Sequence, residues 1–160
     1  ALTSRLGDRD VHVTDPLGLD PRLPSLGAQA IMSEAMRRNW PMESVRVILA
    51  AHGSGRSDRA AIAAYEFADN LADLLPCRDI RVGFVEQTPP IADVAKGTGK
   101  MAICLPFFAC DGDHVQEDVP EALAAGEFEG RLMPVIGQHP QVPFLIADGL
   151  RSQQRQRQAA

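Results

Sequence analysis

Residues 45–56 read VRVILAAHGSGR, and this stretch decides the fold. Residues 45–51 form a short apolar run rich in Val and Ile, closed by glycines. Such a run suits a strand buried on both faces, as in a parallel sheet. Gly53 and Gly55 let the backbone turn sharply where the strand ends. His52 is then presented at the strand's carboxyl end, and Ser54, Ser57 or Asp58 is available to cap a following helix.

Working outward, three further runs repeat the strand pattern, at residues 80–85 (IRVGFV), 101–108 (MAICLPFF) and 131–136 (RLMPVI). The segments between them have helical spacing instead. Over residues 58–75 the positions Ala61, Ile62, Tyr65, Ala68, Leu71, Ala72 and Leu75 share one face, and Pro76 stops the helix. Shorter helices fit residues 89–96, 115–125 and 140–151. Strand alternating with helix predicts right-handed βαβ units, hence an α/β fold with a parallel sheet flanked by helices on both faces. Ligands in such sheets bind beyond the carboxyl ends of the strands.

An internal repeat sets the expected organisation. Residues 15–26 (DPLGLDPRLPSL) match residues 134–145 (PVIGQHPQVPFL) at Gly18/Gly137, Pro21/Pro140, Pro24/Pro143 and Leu26/Leu145. Each copy follows a strand-like run, at 11–14 and 131–133, and leads into a helix. Residues 1–40 are therefore expected to be the closing strand and helix of a preceding repeat plus a linker, and residues 41–160 a complete domain. The tail 151–160 reads as a fraying helix end. The chain starts at Ala1, not Met, so a processed chain or a piece of a longer one is expected.

Composition excludes several classes of function. A net charge of −5 and 5% aromatic residues argue against a nucleic-acid partner. No apolar run reaches the ~18 residues of a membrane span, and no signal peptide is evident, so a cytoplasmic protein is expected. Cys77, Cys104 and Cys110 have no paired short spacing and read as reduced thiols.

Three candidate groups follow three different strands. His52 follows the first, Glu86 lies in FVEQTPPI after the second, and His114 lies in DGDH after the third. Loops after neighbouring strands converge, so two imidazoles and a carboxylate are expected in one crevice. Imidazole suits divalent iron, cobalt and zinc, and in its neutral form it also accepts protons. Read blandly, each is a turn histidine or a surface glutamate. His12 belongs to the first repeat copy and is expected to be structural; His139, aligned with Asp20, is expected to serve its turn. Arg56, Arg59, Lys96 and Lys100 are candidates for substrate carboxylates, with Arg56 the best placed.

On AHGSGR at residues 51–56, FVEQTPPI at 84–91, LPFFACDGDHVQEDVP at 105–120 and GQHP at 137–140, the sequence resembles the small class II sirohydrochlorin chelatases of cobalamin and siroheme synthesis. The ordered set, with its two histidines 62 positions apart, carries the resemblance. It implies insertion of Co²⁺ or Fe²⁺ into sirohydrochlorin, a tetrapyrrole. His52, His114 and Glu86 would bind the metal and act in catalysis, and Ser54, Arg56, Gly112 and Asp113 would contact the substrate. It implies no cofactor beyond the substrate metal, no nucleic acid and no membrane. The fold family is used as fused halves or as a dimer of single copies, so a homodimer, or pairing with a missing amino-terminal half, is expected.

Two rival readings remain. A non-catalytic metal or tetrapyrrole carrier would use the same ligands. A hydrolase would use the HGSG loop, but that loop lacks the GxSxG elbow, and Ala51 stands where a histidine phosphatase has arginine. Cobalt against iron, and the cobalamin against the siroheme route, are left open.

Overall fold

The computed structural model describes residues 13–158. Four strands form one parallel sheet: β1 (Arg46–Ala51), β2 (Asp79–Phe84), β3 (Ala102–Pro106) and β4 (Arg131–Leu132). Their order across the sheet is β2-β1-β3-β4, which puts β1 between the strands that follow it in sequence. Five helices accompany them: α1 (Leu23–Arg37), α2 (Arg59–Leu74), α3 (Ile91–Ala95), α4 (Val119–Ala125) and α5 (Val142–Gln158).

Helices cover both faces, as the unbroken apolar strands require. Val47, Leu49, Ala51, Ile103 and Leu105 point to one side and share a core with residues of α1 and α2. Ile48, Ala50 and Cys104 point to the other, against Ile91 and Ala95 of α3 and Val119 and Leu123 of α4. The alternation is the period-2 geometry of a strand with two dry faces. Burying side chains of this size contributes ~1.5–3 kcal/mol each, which makes β1 and β3 the energetic centre of the fold.

The expected elements form, with local differences. The buried face of α2 is Ala61, Ala64, Phe67, Ala68 and Leu71, whereas Ile62, Tyr65 and Ala72 are exposed. The helix is rotated because Phe67, missing from the expected face, packs its ring 4.6 Å from that of Phe107. The run at 131–136 yields only two strand residues, since Pro134 has no N–H for the ladder and a 3₁₀ turn starts at Ile136. Residues 114–118 wind as a wide π-helical turn before α4 begins. Of the strand expected at 11–14, Val13 and Thr14 have no regular structure, and Val11 and His12 lie outside the described residues.

Helix α1, expected to close a preceding repeat, packs into the same core as the sheet through Leu23, Leu26, Ala28, Ile31 and Ala35. The buried carboxylate of Glu34 accepts from Arg38 at 2.7 Å and pairs with Arg37 and with Arg131 of β4. Those guanidinium groups hold its carboxyl below the usual carboxylate range, the Arg38 hydrogen bond most of all. Among the described residues no helix is long and apolar enough to cross a membrane.

Candidate metal-binding centre

The strand order dictates where a site can form. β2 and β3 both flank β1, so the loops after these three strands meet at one rim, beside the point where the chain changes direction across the sheet. The ladder continues past the last strand residues. Val85 N–H donates to Ala51 O at 3.0 Å and Glu86 N–H to His52 O at 2.9 Å. Glu86 is thereby fixed beside His52 by backbone alone. Gly53 then turns the chain away at φ +73°, a conformation that favours glycine, and a Cβ there would come within 2.8 Å of the Gln87 Cβ. Ser54 N–H donates to Gln87 Oε1 at 3.1 Å, tying the first loop to the second.

His114 reaches the same rim from the wide turn after β3. Its ring centroid lies 4.4 Å from that of His52 in an edge-to-face arrangement. His52, Glu86 and His114 each offer a ligand atom, and these atoms all lie within 4.8 Å of one another. The three residues expected to converge are the three brought together. All are partly exposed, so the cluster opens outward instead of being sealed in the core.

Hydrogen bonds fix the rings. His114 Nδ1 lies 2.5 Å from Asp118 Oδ2, one helical step away, and His52 Nδ1 lies 3.1 Å from Gly53 O. Carboxylate and carbonyl oxygens accept, so Nδ1 is the donor in both contacts, which leaves Nε2 of each ring as the nitrogen to offer a metal when the ring is neutral. The Asp118 hydrogen bond, reinforced by the charges of Asp118, Glu86 and Asp113, raises the His114 pKa above the ordinary 6.5. His52 Nδ1 lies 3.7 Å from Glu86 Oε2. Two imidazoles and one carboxylate make a donor set for a divalent first-row metal, with coordination positions left for other ligands. Asp118 completes a carboxylate–histidine pair of the kind that orients metal ligands. Sequence reading missed its role, although its position four residues after His114 is the available signal.

The CbiX family model matches residues 46–153, which carry the whole sheet and the three converging side chains. The chain belongs to that family. A probable sirohydrochlorin cobaltochelatase of Halobacterium salinarum is 25% identical over 116 residues, covering 71% of this chain and 39% of that one. The structure of CbiX described as the terminal enzyme for siroheme biosynthesis in denitrifying bacteria is 39% identical, with a TM-score of 0.83, covering 89% of this chain and 62% of that chain. The structure of SirB from Bacillus subtilis with Fe³⁺ shares the fold, at 20% identity and a TM-score of 0.69, covering 94% of this chain and 60% of that one. The chain thus spans less than two thirds of the length of each of these three proteins.

The other expected residues fall into two groups. Arg56, Gly112 and Asp113 are exposed on the loops of the same rim, and Ser54 is half-buried there. The Ser54 hydroxyl accepts the Arg56 N–H at 3.2 Å, so it shapes its own turn. Gly112 O accepts from Val115 and Gln116 and starts the turn that carries His114. Arg59 opens α2 on this side. Lys96 and Lys100 precede β3 and so lie at the amino end of the sheet, away from the histidines; Lys96 pairs with Asp93 at 2.6 Å. His139 Nδ1 accepts the Gln141 N–H at 3.3 Å, a turn role. Cys104 is buried, Cys77 half-buried and Cys110 exposed, all as free thiols.

Proposed function

We propose that this CbiX-family chain inserts a divalent metal ion, Co²⁺ or Fe²⁺, into sirohydrochlorin, with His52, His114 and Glu86 as the residues that carry the reaction. The observation behind this reading is the convergence of the three ligand atoms within 4.8 Å on an open rim. The names of the relatives, a cobaltochelatase and a siroheme-pathway enzyme, support the substrate.

Insertion requires that water leave the metal and that two pyrrole N–H protons leave the macrocycle. The Nε2 atoms of His52 and His114 replace water on the metal substrate and hold it at the rim. Glu86, beside His52, takes up the two departing protons one after the other and passes each to solvent, to which it is exposed. Arg56 and Arg59 meet substrate carboxylates, which a net acidic protein must do with few cations. Ser54, Gly112 and Asp113 line the approach. No group beyond the substrate metal takes part, and the second wall of the cleft comes from a partner half or a second copy. The free thiols suit a cytoplasmic setting.

Incubation with sirohydrochlorin and either ion, followed by absorbance, tests the proposal. Multiple turnovers are expected. A spectral shift limited to one equivalent would make the protein a carrier, and no shift would remove tetrapyrrole chemistry altogether. The hydrolase reading is the less supported one, because among the described residues the Ser54 hydroxyl accepts the Arg56 N–H and makes no hydrogen bond to a histidine.

Asp118→Asn gives a pH test. In the metal-free protein His114 is expected to titrate above 6.5, and the substitution to bring it down, read by NMR of the imidazole. A raised histidine pKa adds stability below its unfolded value, and that contribution is lost as pH rises through the folded value. Exposure keeps it small. Metal uptake moves the other way, failing as acid protonates His114. The variant should therefore hold metal to lower pH than the wild type, yet bind it about 10–100-fold more weakly at high pH, where the ring is no longer oriented. An unchanged titration in Asp118→Asn would refute the pairing.

A further inference from the structure

The two imidazoles of the rim are held by different means. The ring of His114 has the Asp118 carboxylate. The ring of His52 has a backbone carbonyl, and that carbonyl is itself held in place. The Gly53–Ser54 peptide group is engaged at both ends. Its C=O accepts from His52 Nδ1 at 3.1 Å, and its N–H donates to Gln87 Oε1 at 3.1 Å. A peptide group is planar, so fixing the direction of its N–H fixes the direction of its C=O. Each bond also polarises the group for the other, because hydrogen bonds in a chain reinforce one another. The Gln87 amide thus acts on the His52 ring through a single peptide group.

Backbone geometry delivers that amide. The bond from Glu86 N–H to His52 O sets the loop after β2 beside the loop after β1, one residue before Gln87. Phe84 N–H donates to Pro89 O at 2.9 Å, which closes residues 84–89 into a short loop with Gln87 inside it. A Cβ at Gly53 would lie 2.8 Å from the Gln87 Cβ and 3.2 Å from its Oε1, so glycine alone lets the two loops come this close. Gln87, Ser54 and His52 are all half-buried, which limits competition from water for these bonds. A second acceptor stands near the same ring nitrogen. Glu86 Oε2 lies 3.7 Å from His52 Nδ1, beyond hydrogen-bond reach. If the Gly53 carbonyl turned away, that carboxylate would be the nearest acceptor, and a bond from Nδ1–H would occupy it.

We infer that Gln87 is a positioning residue for His52, an assignment that rests on the reading of His52 as a metal ligand. Through the Gly53–Ser54 peptide it holds the ring as the Nδ1–H tautomer, with Nε2 left for the metal and the Glu86 carboxylate left free. It does for His52 what Asp118 does for His114, and it does so without adding a charge. A neutral amide suits this place, because a further carboxylate next to Glu86 would compete with it for protons and for the ion.

Nitrogen NMR of the imidazoles in the intact, metal-free protein reads the tautomer directly, in alkaline solution where the rings are neutral. The wild type is expected to show His52 as Nδ1–H. Gln87→Met has similar length and no acceptor, and it is expected to let the Nε2–H form of His52 appear. Gln87→Glu returns an oxygen at the same reach and is expected to restore Nδ1–H. His114, held by Asp118, should look the same in all three spectra, which separates a local effect from misfolding. A Co²⁺ titration without tetrapyrrole is the second arm. Gln87→Met is expected to bind about tenfold more weakly than the wild type, the low end of the range for groups that orient a metal ligand. An unchanged His52 tautomer or an unchanged Co²⁺ affinity in Gln87→Met would overturn the assignment. So would loss of the tautomer in Gln87→Glu, or an equal disturbance of His114. Neither arm uses sirohydrochlorin, so a wild type that binds Co²⁺ without inserting it would remove the chelatase reading and leave Gln87 in its role.

Discussion

His52→Ala and His114→Ala are each expected to lower the rate of metal insertion by about a hundredfold or more while leaving thermal unfolding nearly unchanged. Groups that merely orient a metal ligand are worth about 10–100-fold, so removing a ligand itself should exceed that range. Stability is spared because both rings stand partly exposed at the rim and neither belongs to the cores on the two sheet faces. Surface changes of this kind stay within about 0.5 kcal/mol. The double variant should be little worse than either single one if both rings act on one ion. The spectral assay at saturating metal, paired with calorimetry, reads both quantities. Near-normal turnover in both single variants would remove the site assignment even if the protein proved to be a chelatase.

Ile31→Ala is expected to destabilise the 160-residue chain by about 2–5 kcal/mol, whereas Leu150→Ala, at the matching position of the repeat, should cost about 0.5 kcal/mol or less. Ile31 is fully buried in the core shared by α1, α2 and the sheet, so its truncation leaves a cavity. Leu150 is half out in water and loses little. Urea unfolding of the two variants checks the contrast. Equal losses would mean that α1 and α5 are equally built into this unit.

The strands that sequence located best are the ones buried on both faces. In β1 and β3 every residue but Arg46 is apolar, so no register choice is needed to recognise them. The convergence of His52, Glu86 and His114 was readable for a related reason: in a parallel sheet, a residue just past a strand has one place to go. What escaped is what tertiary contacts decide. Phe67 outbids Ile62 for the core only because Phe107 and Gly27 wait to receive it. The position of Lys100 looked compatible with substrate until the sheet put it at the opposite end from the histidines. Asp118 became informative only once the wide turn brought its carboxylate to the His114 ring.

That turn has a consequence for how such chains diverge. Each residue advances a helix by about 100°, so losing one residue between Val115 and Glu117 would restore ordinary winding and swing the His114 imidazole away from its neighbours. Val119 and Leu123 would stay in their core. A single in-frame codon loss thus suffices to turn a descendant that carries the three-residue cluster into a stable scaffold without it, and no hydrophobic position would record the event.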